Sequence, residues 1–246
     1  MESTQYPDVK NLVLSELSIS LGSIREEDVE KLVTILLTSR KVFFVGVGRV
    51  LLSLESMAKR LAHLGIDTHI VGEITEPAIT PEDVLIVGSG SGTTLFPAGI
   101  AQKAHAMGAK VVHIGSNANS DLKDIIEFMV RIPVRTKYYL DDEIDSEQPM
   151  TSLFEQTLLL LGDIVAKMII DRKQLDMKSL WQYHANLEKA DEEGNTGKSR
   201  DDAAGSLCED LYRHGGPREQ HARDPGEERQ YAVYAFAGQM HGHCLS

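Results

Sequence analysis

The sequence predicts an α/β fold in which a parallel sheet is covered by helices on both faces. Short apolar runs alternate with segments of helical periodicity about five times along the chain. The apolar runs contain few polar residues, as expected for strands that are buried on both faces of a sheet. Hydrophobic residues make up 42% of the 246 residues, which is enough for one sizeable core.

Each element follows from its own pattern. The predicted strands, in chain order, are KVFFVGVG, DTHIVGE, DVLIVGSGSG, AKVVHIGS and FMVRIPV. The predicted helices are NLVLSELSISL, EEDVEKLVTILLTS, LLSLESMAKRLAHLG, TLFPAGIAQKAHAMG, SDLKDII, MTSLFEQTLLLLGDIVAKMIIDRK and DMKSLWQYHANLE. Acidic residues around Asp28 suit a helix N-terminus, and Gly65 and Gly108 are typical of helix C-termini.

The composition changes near Lys189. Residues 1–189 contain all of the predicted strands and helices and form the predicted domain. Residues 190–246 are rich in charge and glycine and begin with a long stretch that is poor in aliphatic side chains. Such a stretch cannot bury enough apolar surface to offset the entropy of ordering it. We therefore predict that residues 190–246 are a disordered C-terminal tail.

Charge and cysteine content exclude several function classes. The formal net charge of −12 argues against nucleic acid or an anionic membrane as the main partner. Two cysteines, both near the C-terminus, predict neither a disulfide framework nor a metal cluster. No apolar run has the length of a membrane span. The polar start MESTQYPDVK lacks the apolar central region that a signal peptide has. We expect a soluble cytoplasmic protein.

Two glycine loops follow predicted strands, at residues 46–48 and 88–92. Both fail the G-x-G-x-x-G spacing of dinucleotide-binding loops, and neither has the lysine of an ATP phosphate loop. The second loop instead places Ser89, Ser91 and Thr94 at the start of a helix. Main-chain N–H groups and the helix dipole favour an anion there. A phosphate monoester is the predicted ligand, and a flexible Gly/Ser turn is the structural alternative.

Four segments resemble one family of proteins. Residues 89–94, SGSGTT, look like the S-x-S-G-x-T phosphate loop of SIS (sugar isomerase) domains. GVGRV…AKRLAHLG, EQPMTSLFEQ and YHANLE resemble, in order, three further segments of the 6-phospho-3-hexuloisomerases. The resemblance covers about residues 10–189.

The resemblance implies a fold, a reaction and an assembly. The fold would be a SIS domain, with a flavodoxin-like five-stranded parallel sheet flanked by helices. The reaction would interconvert D-arabino-3-hexulose 6-phosphate and fructose 6-phosphate, as in the ribulose monophosphate pathway. The assembly would be a homodimer or homotetramer with shared active sites. Moving a carbonyl from C3 to C2 through a 2,3-enediol needs a base, a proton shuttle and a phosphate anchor. It needs no metal and no redox cofactor.

Roles are carried over residue by residue. Glu155 is the candidate base, at the start of a helix where a plain first-turn glutamate is the structural alternative. His184 and His63 are candidates for handling the sugar and the enediol oxygens, and packed interface histidines are the alternative for both. Arg49 is expected to orient hydroxyls or phosphate, with a surface ion pair as its alternative. The remaining expected binding residues are Gly48, Ser89, Gly90, Ser91, Thr93 and Thr94.

One residue departs from the family pattern, and two other functions stay open. Val50 stands where the family usually has a serine, so the substrate contact that this serine would make is lost or replaced. An isomerase of the arabinose-5-phosphate type would use the same groups, but usually carries regulatory domains that residues 190–246 are too short and polar to form. A non-catalytic phosphosugar-sensing module usually has a basic DNA-binding segment upstream, whereas only about 40 residues precede the first predicted strand here, and their net charge is negative.

Overall fold

A five-stranded parallel sheet forms the centre of the computed structural model, which describes residues 5–177 and residue 180. The strands are β1 (Val42–Val45), β2 (Thr68–Ile70), β3 (Val84–Gly88), β4 (Lys110–Gly115) and β5 (Phe128–Arg131). Their order across the sheet is β2-β1-β3-β4-β5, which is the flavodoxin-like order. The predicted α/β fold with five parallel strands is thereby confirmed. His184, most of the predicted helix DMKSLWQYHANLE (176–188) and the predicted tail, 190–246, lie outside the described residues.

Helices cover the sheet and precede it. They are α1 (Tyr6–Gly22), α2 (Glu26–Thr38), α3 (Gly48–Ala62), α4 (Leu95–Ala106) and α5 (Ser152–Lys173). The prediction of a helix at 120–126 was wrong, because these residues form successive turns leading into β5. Seven residues give few hydrogen bonds to offset the cost of nucleating a helix. Within residues 5–177, none of the helices combines the length and the apolar character that a bilayer span requires.

Two apolar clusters lie on opposite faces of the sheet, because successive side chains of a strand point to opposite sides. Val42 and Phe44 of β1 belong to the larger cluster, which also contains buried residues of α2, α3 and α5. Phe43 and Val45 belong to the smaller cluster, which includes Ala101 of α4. Both faces of β1 and β3 are therefore buried, as their apolar sequences predict.

The strand order places both glycine loops side by side. β1 and β3 are hydrogen-bonded neighbours, with Phe44 opposite Ile86 and Val45 opposite Val87. The chain leaves β1 toward β2 on one side, and leaves β3 toward β4 on the other. In open parallel sheets a crevice forms at the C-terminal ends of strands where the order reverses in this way. Residues 46–48 and 88–92 both border this crevice.

Candidate active site

A cavity of about 270 Å³ opens at this end of the sheet. Residues 47–50 of the first glycine loop form one wall, and residues 88–91 with Thr94 form another. Residues 136–137 and the start of α5, with Thr151, Phe154 and Glu155, close the remaining sides. The structure therefore brings the predicted phosphate loop, Arg49 and the candidate base to one cavity.

The second glycine loop is held by hydrogen bonds between its own residues. The N–H of Gly92 donates to Ser89 Oγ at 3.1 Å, and Thr93 Oγ1 donates to Ser91 Oγ at 3.3 Å. Ser89 and Ser91 are both buried yet line the cavity. Thr94 is the N-cap of α4, but its side chain makes no capping hydrogen bond. The donors of the first helical turn are therefore left for solvent or a ligand, as an anion site requires.

A buried histidine supports this loop from behind. Ring nitrogen Nε2 of His113 donates to the carbonyl oxygen of Ser89 at 2.8 Å. Burial lowers the pKa of His113 to about 4, although the Ser89 hydrogen bond opposes the shift, so the ring is neutral near pH 7. Gly92 has a φ of +67°, and a Cβ there would lie 2.2 Å from Ser120 Cβ. Only glycine fits at position 92 without moving the loop.

Glu155 lies in the first turn of α5 and is buried. One carboxylate oxygen, Oε1, accepts a hydrogen bond from Thr151 Oγ1 at 2.8 Å. The other, Oε2, accepts one from Nε of Arg49. The main-chain oxygen of Glu155 accepts a hydrogen bond from Ser53 Oγ at 2.8 Å, which ties α5 to α3. The carboxylate thus has a fixed orientation at the cavity wall.

The first glycine loop carries the arginine to this carboxylate. Gly48 has a φ of +57° and begins α3, so the chain turns directly from β1 into the helix. Arg49 spans the cavity edge to Glu155 while its side chain stays 64% exposed. Val50 packs toward Gly88, where a Cβ would meet Val50 Cγ1 at 2.9 Å. Arg49 therefore forms an ion pair, the alternative left open for it, but with the candidate base and not with a distant surface group.

Of the two candidate histidines, His63 is absent from the described lining of this cavity, and His184 lies outside the described residues. His63 follows α3 as its C-cap, 14 positions after Arg49, which corresponds to about 21 Å along a helix. It borders a separate cavity with Arg60, Asp163 and Lys167. The roles of His63 and His184 stay predictions.

Sequence reasoning missed the wall that follows β5. Thr136 is buried against the second glycine loop, with its methyl group 3.3 Å from where a Gly90 Cβ would lie. Lys137 also lines the cavity, and Tyr138 shares a hydrogen bond of 2.6 Å with Thr93. The sequence feature that could have identified this wall is Lys137 followed by two tyrosines, shortly after the C-terminal end of a predicted strand. Ligand-binding loops occur at that end of the strands in such sheets.

Helix α1 braces the segment that leads to Glu155. Glu16, buried on α1, accepts hydrogen bonds from Ser146 Oγ at 2.6 Å, the N–H of Glu147 at 2.7 Å and Gln148 Nε2 at 2.9 Å. Burial opposes ionisation of Glu16, but these three donors and the charge of Arg135 outweigh it and lower the pKa of its carboxyl group. The ionised form of Glu16 is therefore the one that the fold stabilises.

Known proteins resemble the chain in sequence. The 3-hexulose-6-phosphate isomerase of Bacillus subtilis is 37% identical over 188 residues, which are 76% of this chain and 100% of that protein. The 3-hexulose-6-phosphate isomerase of Mycobacterium gastri is 35% identical over 178 residues, or 72% of this chain and 89% of that protein. No family model matches the chain.

Solved structures resemble it in fold. A hypothetical protein from Methanococcus jannaschii, whose crystal structure infers a molecular function of 3-hexulose-6-phosphate isomerase, aligns with a TM-score of 0.63 and 28% identity. The alignment covers 73% of this chain and 99% of that one. An E. coli protein solved in complex with a ligand shares the fold, with a TM-score of 0.60, 21% identity, and coverage of 74% and 100%. By its sequence identity to curated relatives over most of its length, this chain belongs to the 3-hexulose-6-phosphate isomerase family.

Proposed function

We propose that the protein interconverts D-arabino-3-hexulose 6-phosphate and fructose 6-phosphate. The observation that carries this proposal is the meeting of a hydroxyl-lined loop and a buried carboxylate in one cavity. Ser89, Ser91 and Thr94 are suited to hold the phosphate, and Glu155 faces the same space. The identity of the substrate follows from membership of the 3-hexulose-6-phosphate isomerase family.

Each step follows from the groups present. With the phosphate in the loop, Glu155 takes the proton from C2 of the 3-ketose, and the electrons form the C2–C3 double bond of a 2,3-enediol. The same carboxyl group then returns a proton to C3 as the carbonyl forms at C2. Thr151 and Arg49 hold the carboxylate in a fixed orientation, which is how a positioned base gains its advantage over one in solution. His184 and His63 remain the candidates for moving the hydroxyl proton between the two oxygens.

The two directions of the reaction differ in whether the starting sugar has a ring that must be opened. Because O6 carries the phosphate, a 3-ketose cannot close a five-membered ring through O6. Fructose 6-phosphate closes through O5 and must open before it reacts. We therefore expect substitutions of groups that open the ring to slow the reaction from fructose 6-phosphate more than the reaction toward it.

A direct assay tests the proposal. The 3-hexulose 6-phosphate is generated in situ from formaldehyde and ribulose 5-phosphate, and fructose 6-phosphate formation is coupled to a dehydrogenase. Formation that depends on this protein is the expected result. A protein that leaves 3-hexulose 6-phosphate unchanged but converts arabinose 5-phosphate to ribulose 5-phosphate would overturn the proposal and favour the other isomerase type.

We further propose that the protein is a homodimer or homotetramer, in which His184 of one subunit reaches the site of another. The family resemblance supports this assembly. Light scattering gives the oligomeric mass. Mixing the Glu155→Gln protein with the His184→Ala protein tests the sharing, because turnover above that of either variant alone arises only if one site draws on two subunits.

A further inference from the structure

The cavity must bind an anion in a strongly acidic protein, so its own charges matter. The chain has a formal net charge of −12. Among the described lining residues, the charged side chains are Arg49, Lys137 and Glu155. Arg49 is already paired with Glu155, and the two charges largely offset each other. Lys137 is the remaining cation in that lining.

The position of Lys137 associates it with the phosphate loop. Its neighbour Thr136 packs on Gly90, and its other neighbour Tyr138 is hydrogen-bonded to Thr93 at 2.6 Å. Lys137 Nζ lies 5.1 Å from the centroid of the Tyr138 ring, a cation–π distance. Both flanking contacts therefore hold Lys137 beside residues 89–94.

Hydrogen bonds to the carboxylate of Glu143 hold the backbone on both sides of Lys137. The carboxylate of Glu143 accepts the N–H groups of Thr136 and Leu140, each at 3.0 Å. Its other oxygen accepts Ser116 Oγ at 3.0 Å, which joins this turn to the end of β4. A fixed turn with a flexible, charged side chain suits a lysine that meets its ligand as a point charge.

We propose that Lys137 is a binding residue for the substrate's phosphate dianion, acting with the hydroxyls and N–H groups of residues 89–94. This inference rests on the proposed function for the identity of the phosphosugar. It adds the positive charge that the hydroxyl loop lacks. It also assigns a task to the loop after β5, since Tyr138 joins that loop to the phosphate loop through Thr93.

Binding of fructose 6-phosphate to Lys137→Gln, measured by calorimetry, tests the inference. The dissociation constant should rise about tenfold or more, because a hydrogen bond to a charged group is lost. The KM for fructose 6-phosphate should rise with it, while kcat changes by less than about threefold. Lys137→Arg should recover most of the affinity. Lys123→Gln, an exposed lysine outside the cavity lining, is the matched control and should bind like the unmodified protein.

Other outcomes overturn it. Unchanged affinity with lowered kcat would place Lys137 at the reacting carbons, and no change in either would make it a solvated surface residue. Because the readout is binding, the inference is decided separately from the proposed function. A protein that binds fructose 6-phosphate through Lys137 but forms none from 3-hexulose 6-phosphate would refute the function and keep the phosphate site.

Discussion

The two glycine loops border the same crevice but are built in different ways. The loop after β3, residues 88–94, is tied by hydrogen bonds among its own hydroxyls and by His113 behind it. The loop after β1 instead leads directly into α3, whose exposed Arg49 reaches across to Glu155. The loop after β3 thus has hydroxyls in fixed positions, suited to the anion site proposed there, and the loop after β1 orients the carboxylate of the candidate base. In the proposed function, one glycine loop therefore anchors the substrate and the other positions the base.

Removing the carboxylate that the first loop orients should have the largest effect. Glu155→Gln keeps the shape of the side chain but removes the proton acceptor, so turnover should fall about a hundredfold to ten-thousandfold. Affinity for fructose 6-phosphate should change little, since the phosphate loop is elsewhere. Deuterium uptake from solvent at C3 of fructose 6-phosphate, followed by NMR, should fall in parallel. Glu147→Gln, with an exposed side chain, is the control. Near-normal turnover in Glu155→Gln would assign the base to another residue.

The histidine behind the second loop should make stability depend on pH. His113 has a folded-state pKa of about 4 against an ordinary value of 6.5, so below pH 6.5 the unfolded chain takes up a proton that the folded chain does not. The stability that comes from keeping His113 neutral is therefore fully present above pH 6.5 and is lost as the pH falls toward 4. Between pH 8 and pH 5 the loss is about 2 kcal/mol in the free energy of unfolding.

Denaturant unfolding at several pH values measures this loss. His113→Gln keeps a donor for the Ser89 carbonyl but does not titrate, so its stability should vary less with pH across the same range. His105→Gln, at an exposed position of α4, should keep the pH dependence of the unmodified protein. Identical pH dependence in His113→Gln would show that the proton is taken up elsewhere.

Removing the hydroxyls of the second loop should weaken anchoring without stopping chemistry. In Ser89→Ala/Ser91→Ala, affinity for fructose 6-phosphate should fall more than about tenfold, since each hydrogen bond to a charged group contributes about 1.5–3 kcal/mol. Circular dichroism should show an intact fold. Ser15→Ala removes an exposed hydroxyl of α1 and serves as the control. Unchanged affinity by calorimetry would contradict a phosphate site in this loop.

The smallest effect is expected at Val50 in the first loop. Val50→Ser places a hydroxyl at the cavity wall, where one added hydrogen bond should raise affinity for fructose 6-phosphate about two- to fivefold. The lost methyl packing on Gly88 should lower stability by about 1 kcal/mol. Steady-state kinetics with fructose 6-phosphate measure the first effect and thermal unfolding the second. Weaker binding by Val50→Ser would mean that the apolar wall itself contributes to recognition.

Prediction from sequence was accurate for elements whose hydrophobic pattern extends over many residues. It failed for a short segment and for a cavity wall that forms through long-range contacts. The five strands and helices α1 to α5 follow from apolar runs and helical spacing, which involve many residues each. The short segment 120–126 has a helical pattern but forms turns. The cavity wall formed by Thr136 and Lys137 was missed because these residues belong to no motif. Their segment meets the second glycine loop through tertiary contacts, such as the hydrogen bond between Tyr138 and Thr93.

The sequence by itself determined the class of fold, the position of the hydroxyl-lined glycine loop and the family, because periodicity and motifs are written in consecutive residues. Only the tertiary structure decided which distant groups meet. Arg49 and Glu155 are 106 positions apart and become partners because α3 packs along α5. His63 follows the C-terminal end of α3, whereas Arg49 lies at its N-terminal end. The length of the helix therefore keeps the two side chains far apart, although one motif in the sequence contains both.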